Sequence, residues 1–254
     1  AAAPTNADIV VRPGNYTGTV NLKDGQRLLG SGSALVNSQS VARPQLTGPV
    51  VLADGNTLDF LRVDGTAGSA IDGIGQNGGT ISNCEIANIT GGTTVAGIAG
   101  DNTRGTWTVS GNTFINGSGA GVVFIASGTD SGTFIVTNNT MTNNGLGAIA
   151  LVSQDTSNVK ASVVGNTFSG NNTVTGDAFE AQCLGDSTLC LNLEDNTNDG
   201  TYLLFKNPFG AAVFNVEQLA SLTTAKPTGA GNTGTVDAAT GGTVTDVADG
   251  FCMF

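Results

Sequence analysis

The sequence contains no histidine, and only 11% of its residues are charged and 6% are aromatic. Histidine is the most common metal ligand in proteins and the most common general base near neutral pH. Its absence excludes catalytic triads built on histidine and ordinary catalytic zinc sites. No apolar run reaches the roughly 18 residues that a transmembrane helix requires, so we expect no membrane insertion.

Basic residues are scarce as well: nine lysines and arginines face twenty aspartates and glutamates, which gives a net charge of −11. Such a charge repels nucleic acid phosphates and anionic membranes, so neither is an expected partner. The sequence is rich instead in glycine (38), threonine (34) and asparagine (25), which favour turns and strands over helices. The low charge with abundant threonine and asparagine indicates an extracellular or cell-surface location.

An internal repeat occupies the middle of the chain. Four segments align by their apolar alternation and a shared Asn-Thr pair: 105–114, 132–141, 159–168 and 189–197. Their aligned asparagines are spaced 27, 27 and 30 residues apart: Asn112, Asn139, Asn166 and Asn196. Upstream, Cys84 falls at the same position of the repeat. Stacked amide side chains can hydrogen-bond along a column, so we predict an asparagine ladder with Cys84 at its lower end.

Each repeat carries two or three short strand-like runs separated by polar corners. A unit of about 27 residues with this content predicts one coil of a parallel β-helix, in which successive coils stack at ~4.8 Å. Alternation places Trp107 and Phe134 on the inner face of the coil and Thr106 and Thr133 on the outer face. The predicted fold is therefore an all-β, right-handed parallel β-helix with coils of about 27 residues.

Residues 8–32 resemble the entry coil of right-handed β-helix proteins of the pectin-lyase-like superfamily, and the Gly-Asn-Thr-Phe units resemble their coil repeats. More narrowly, the chain is similar to β-helix segments of bacterial surface and autotransporter-like proteins. The resemblance covers about residues 8–205 and implies the fold. It does not fix the activity, because this scaffold serves lyases, hydrolases, tailspikes, adhesins and fibres.

We expect one domain over residues 1–254, with coils over 8–205 and a loop-rich capping appendage over 206–254. Within the appendage, 215–222 is predicted as a short helix capped by Asn215. The chain ends in apolar side chains at 251–254. Two arrangements stay open for this end: it folds back over its own last coil, or it inserts into a neighbouring copy and builds a head-to-tail assembly.

The four cysteines predict one disulfide. Cys183 and Cys190 lie seven residues apart around a predicted turn, and a short loop in an oxidising compartment readily forms a disulfide bond. We therefore predict the pair Cys183–Cys190. Cys84 is then expected to be a buried free thiol unless the C-terminal tail returns Cys252 to it.

Polysaccharide lyases on this scaffold need an acidic cluster for Ca²⁺ and a cationic base. The nearest match contains four acids and one arginine: Asp59, Arg62, Asp64, Asp72 and Glu85. Arg62 and Glu85 align on neighbouring coils, which favours a surface ion pair. Asp72 and Glu180 fall in one column but four coils apart, about 19 Å, which is too far for a glycosidase pair.

Two further sets of residues are of types that can bind a ligand. The corner acids are Asp101, Asp130, Asp155 and Asp186, whose uneven spacing favours backbone caps over a Ca²⁺ site. The outward threonines are similar to the flat faces of ice-binding β-helices: Thr106, Thr108, Thr133 and Thr137. Ile135 and Lys160 interrupt that array. We predict no catalytic residues, no cofactor and no metal site.

The sequence thus favours a non-catalytic extracellular bacterial β-helix with a structural, adhesive or self-assembling role. Its expected partners are further copies of the chain, or a glycan or other cell-surface ligand. Two alternatives stay open: a polysaccharide lyase or glycoside hydrolase that uses the region of Arg62 and Glu85, and an ice-binding protein.

Overall fold

The computed structural model describes residues 3–36, 42–171, 177–219, 231–237 and 241–253. Nine strands form the N-terminal part: β1 (Asp8–Val11), β2 (Asn15–Tyr16), β3 (Val20–Asn21), β4 (Arg27–Gly30), β5 (Gln45–Leu46), β6 (Val50–Val51), β7 (Asn56–Asp59), β8 (Arg62–Asp64) and β9 (Ile71–Asp72). Nine more form the middle: β10 (Asn77–Ser82), β11 (Glu85–Ala87), β12 (Ala96–Gly100), β13 (Arg104–Ser110), β14 (Thr113–Ile115), β15 (Ala120–Ala126), β16 (Ser131–Thr137), β17 (Thr140–Thr142) and β18 (Gly147–Ser153). The C-terminal part contains β19 (Asn158–Val164), β20 (Thr167–Ser169), β21 (Asp177–Cys183), β22 (Thr188–Glu194), β23 (Thr197–Asn198), β24 (Thr201–Lys206), β25 (Val213–Glu217), β26 (Thr235–Asp237) and β27 (Thr245–Val247).

These strands stack into three parallel sheets. Sheet 1 has the order β1-β4-β7-β10-β13-β16-β19-β22-β25-β27, sheet 2 has β2-β5-β8-β11-β14-β17-β20-β23, and sheet 3 has β3-β6-β9-β12-β15-β18-β21-β24-β26. Among the described residues, eight successive coils each give one strand to every sheet. The predicted all-β parallel β-helix is confirmed. In the same part of the chain, no helix is long and apolar enough to cross a lipid bilayer.

The core lies inside the coils, where alternate residues of each strand meet. Trp107, Phe134 and Ala161 are successive partners in sheet 1, in the register that the repeat predicts. All three are fully buried, together with apolar residues from the other two sheets. Each buried position is packed between its equivalents one coil above and below. The inner columns therefore hold the sheets together as a packed hydrophobic core.

Asn112, Asn139, Asn166 and Asn196 form one ladder at the corner between sheets 1 and 2. Each side-chain oxygen accepts from the backbone N–H of the preceding ladder residue at 2.8–3.0 Å, beginning with Cys84 N–H. The residue before each member has a positive φ, which glycine, asparagine and aspartate tolerate best: Asn83, Gly111, Asn138, Gly165 and Asp195. Over these five coils, the corner is therefore marked by a residue with a positive φ followed by a member of the ladder.

The ladder extends further than the repeat predicts. Asn232 accepts hydrogen bonds from both the backbone and the side chain of Asn196 at 2.9 Å, although it lies in the segment expected to be a loop. A second ladder joins Asn144 to Asn171 at the corner between sheets 2 and 3. These two asparagines are also 27 residues apart, so the repeat contains a signal for them.

The coils also continue beyond residue 205. The predicted helix at 215–222 is wrong over its first half, because Asn215 lies within β25, whose Phe214 and Val216 face the core. This strand pairs with β22 on one side and β27 on the other. An alternating apolar pattern and two available sheet neighbours outweigh the capping signal of Asn215. Residues 220–222 lie outside the described part of the chain.

The C-terminal strap, residues 248–253, folds back over the outer face of sheet 1. Cys252 N–H donates to the buried Glu217 carboxylate on β25, at 2.5 Å. One coil further down, Cys252 is disulfide-bonded to Cys190 on β22. On the next strand, β19, Lys160 Nζ donates to Met253 O of the strap at 3.1 Å. The chain thus returns to its own body, but along the side of the helix rather than over the end of the last coil.

Candidate functional site

The outer face of sheet 3 contains a groove with a volume of about 610 Å³. Its floor is a column of small aliphatic side chains that are partners on neighbouring strands: Ala99 on β12, Val123 on β15 and Ala150 on β18. They face outward because they alternate with the buried Ile98, Val122 and Ile149. We call this feature the sheet-3 groove.

The walls of the sheet-3 groove come from the corners on either side of the sheet. Val95 and Leu146 rise from the corners that enter sheet 3, and Ile74 comes from a corner that leaves it. Ile74 is 50% exposed and Leu146 is 38% exposed, so both present apolar surface to solvent. Ile125 extends the floor sideways along β15, and Leu203 on β24 lies at the end of the floor column. The central floor is therefore aliphatic, and the margins of the groove combine apolar side chains with the hydroxyl groups of Ser69, Thr93 and Thr94.

Three carboxylates line the same groove: Asp101, Asp177 and Glu180. Glu180 continues the floor column, since it is the partner of Ala150 on the next strand, and it accepts a hydrogen bond from Gln182. Asp177 accepts a hydrogen bond from Thr201. No lysine, arginine or aromatic side chain is among the described residues that line the groove. Its electrostatic character is therefore acidic.

The acids predicted for a lyase site are divided between different places. Arg62 lies in sheet 2 and pairs with Glu85 on the next strand at 2.9 Å and with Asp64 at 2.7 Å. Asp59 is buried and accepts from the Ser82 hydroxyl and the Asn83 amide at 2.6 and 2.8 Å. Asp72 lies in sheet 3, on a different face of the coil. The acids proposed for the lyase site therefore do not converge on one place.

Arg62 is therefore held between two carboxylates on a sheet that does not line the groove. Its side chain is 34% exposed, and that of Glu85 is 27% exposed. Partly exposed ion pairs of this kind contribute about 0.2–1 kcal/mol each.

Asp72 and Glu180, the two acids considered for a glycosidase pair, do share one outer column, four strand steps apart, as the repeat predicts.

Two of the four corner acids bind the backbone of adjacent coils. Asp155 accepts from Gly128 N–H at 2.9 Å, and Asp186 accepts from Ala211 N–H at 2.7 Å. Asp101 lines the groove instead. Within the described part of the chain, no group of three or more cysteine, aspartate or glutamate side chains is placed to hold a metal ion.

The predicted disulfide Cys183–Cys190 is wrong. Cys183 ends β21 facing the interior, where its sulfur lies 3.4 Å from Ser187 O. Cys190 is the partner of Lys160 and Asn215 in an outer column of sheet 1. The two side chains therefore project to opposite sides of the coil wall. Cys190 pairs instead with Cys252 of the strap, 62 residues away, and leaves Cys84 and Cys183 as buried thiols.

We expect alkylation to reveal this pairing. Burial raises the pKa of Cys84 to about 12 and also raises the pKa of Cys183, so both thiols stay protonated and unreactive in the folded protein at mildly alkaline pH. Iodoacetamide should label neither thiol in the native protein. In denaturant without reductant it should label Cys84 and Cys183 only, as read by mass spectrometry of tryptic peptides. Labelling of Cys190 under those conditions would contradict the assigned bond.

Three stacked parallel sheets, ladders at the corners and a groove on one outer face define the class of protein as a parallel β-helix. The family model described as "right handed beta helix region" matches residues 15–168, which is more than half of the chain. The chain belongs to this right-handed β-helix family. No curated protein and no solved structure matches the chain.

Proposed function

We propose that this protein is a non-catalytic, extracellular β-helix with a structural and adhesive role. The observation that carries the proposal is the floor of the sheet-3 groove, where Ala99, Val123 and Ala150 stand on successive strands. Their methyl and isopropyl groups carry no charge and exchange no proton. These three side chains can bury apolar groups of a partner but take no part in acid–base chemistry, so any catalysis in the groove would have to come from the carboxylates at its margins.

The structural part of the proposal is supported by the way in which the coils are joined. Each coil is bonded to the next by three parallel ladders of backbone hydrogen bonds, and the asparagine ladders fix the corners. The Cys190–Cys252 disulfide supports the extracellular placement, since such bonds persist in oxidising compartments.

Hydrolysis of a glycan is the second candidate, and one pair of groove residues favours it. Asp177 and Glu180 lie on the same strand, β21, three residues apart. A register shift between Asp177 and Phe179 sets the two acids opposite Thr201 and Leu203, so both face the same side of the sheet, about 7 Å apart along the strand. Inverting glycosidases place their two carboxyl groups roughly 6.5–9.5 Å apart, so a hydrolase would use these two acids rather than Arg62 and Glu85.

A depolymerisation assay separates the two functions. The purified protein is incubated with polygalacturonate and with neutral polysaccharides, with and without Ca²⁺. We expect neither new reducing ends nor unsaturated products, because no basic side chain is among the described residues that line the groove and its two strand acids accept hydrogen bonds from Gln182 and Thr201. Product that disappears in the Glu180→Gln variant, but not in the Arg62→Ala variant, would overturn the non-catalytic proposal and establish a hydrolase in the groove. Product lost only in Arg62→Ala would restore the lyase hypothesis.

A further inference from the structure

We propose that the sheet-3 groove binds an extended peptide segment of a partner protein, with aliphatic side chains and two basic residues four positions apart. This inference rests on the proposed adhesive function and names the chemistry of the partner. The length of the groove, the polarity of its floor and the position of its charges each restrict the occupant.

The dimensions favour an extended segment over a helix. The lining runs from Ile74, which follows β9, to Leu203 on β24, which is five strand steps or about 24 Å. About seven extended residues span that length. An α-helix rises only 1.5 Å per residue and needs about 16 residues to cover the same length, so a short segment fills the groove only when it is extended.

The polarity of the floor favours aliphatic side chains over sugar rings. The backbone N–H and C=O groups of β12, β15 and β18 are used in pairing with their neighbouring strands. The outward side chains between them are those of Ala99, Val123 and Ala150. Sugar hydroxyls placed over these three side chains would lose their hydrogen bonds to water without gaining others, at a cost of about 1–3 kcal/mol for each unpaired group, since the hydroxyl and carboxyl groups of the lining stand at its margins. Valine, leucine or isoleucine side chains lose nothing comparable.

The charges favour a basic partner. Asp101 follows β12 and Glu180 lies on β21, three strand steps away, so about 14 Å separates them along the helix axis. Four residues of an extended peptide span about 13 Å, which brings lysine or arginine at positions i and i+4 to the two carboxylates. The same acids repel an acidic glycan. They also repel a second copy of this chain, which carries a net charge of −11.

Selection from a random heptapeptide library displayed on phage tests this proposal. The folded wild-type protein is the target, and the Val123→Lys variant is used for counter-selection. The matched control is Ile135→Lys, which changes an outward aliphatic residue in the middle of sheet 1. Circular dichroism verifies that both variants retain the β-helix.

We expect enrichment of peptides that combine aliphatic residues with lysine or arginine at i and i+4. A synthetic copy of an enriched peptide should bind at least tenfold more weakly to Val123→Lys and equally well to Ile135→Lys. Glu180→Gln should weaken binding about three- to tenfold and reduce its dependence on salt. The proposal is overturned if nothing is enriched, if the enriched peptides lack basic residues, or if both lysine variants bind alike.

The outcomes for this inference and for the proposed function can be told apart. Absence of peptide binding, together with absence of depolymerisation, would remove the peptide partner and leave the non-catalytic role in place. Depolymerisation that Glu180→Gln abolishes would instead overturn the function on which the inference rests.

Discussion

Replacing Trp107 by alanine is expected to lower the free energy of unfolding by about 3–5 kcal/mol. The indole is fully buried, lies 5.4 Å from the ring centre of Phe124 and donates from Nε1 to Arg104 O at 3.1 Å. Phe124 in turn stacks on Phe134 at 4.7 Å, so the substitution opens a cavity beside an aromatic stack. Urea denaturation followed by far-ultraviolet circular dichroism measures the loss.

Gly73 provides a matched partner for this experiment, because it leaves the space that the indole fills. A Cβ atom at Gly73 would lie 2.6 Å from Cη2 of Trp107, so Gly73→Ala should cost about 1–3 kcal/mol in the wild-type protein. In the Trp107→Ala background the same methyl group enters the cavity, and the cost should largely disappear. Additive effects of the two substitutions would show that the indole and Gly73 are not packed together.

Replacing Asn139 by alanine should be similarly damaging, although the side chain is polar. Its oxygen accepts from the backbone N–H of Asn112 at 2.9 Å, and its nitrogen donates to Val109 O at 2.9 Å. Both backbone groups lie in the buried corner and would lose these partners. Each unpaired buried group costs about 1–3 kcal/mol, so we expect a loss of about 2–6 kcal/mol.

Fluorescence of Trp107, the single tryptophan of the chain, reports the unfolding of the Asn139 variant. The control is Thr140→Val, which changes the exposed neighbour and preserves a β-branched side chain. We expect that control to stay within about 0.5 kcal/mol of the wild type. Equal stability of the Asn139 and Thr140 variants would show that the ladder does not support the corner.

The repeat predicts the fold well because one pattern specifies both the register and the corner. Trp107, Phe134 and Ala161 recur every 27 residues, and parallel stacking converts that interval directly into neighbouring positions. The pairing of Arg62 with Glu85 follows from the same alignment. Local alternation and nearest-coil contacts are therefore readable from the chain.

The groove and the disulfide depend on information that the repeat does not contain. The groove is formed by the lengths and side chains of irregular corners, such as those that carry Val95 and Leu146. The Cys190–Cys252 bond joins residues 62 positions apart, and sequence proximity favoured Cys183 instead. Alternation along β21 and β22 does place Cys183 inside and Cys190 outside, so the wrong pair could have been rejected from the pattern alone.

The strap determines how the molecule carries mechanical load. A pull on the chain at its C-terminal end passes from Cys252 through the disulfide to Cys190, and so enters the body at β22. The strands that follow, β23 to β27, lie between the two cysteines and outside the loaded path. Tension therefore reaches a strand that is paired on both sides, by β19 and β25, rather than peeling the terminal β27 from the edge of the sheet. When the protein is held through its C-terminal end, the force therefore acts on an interior strand of sheet 1.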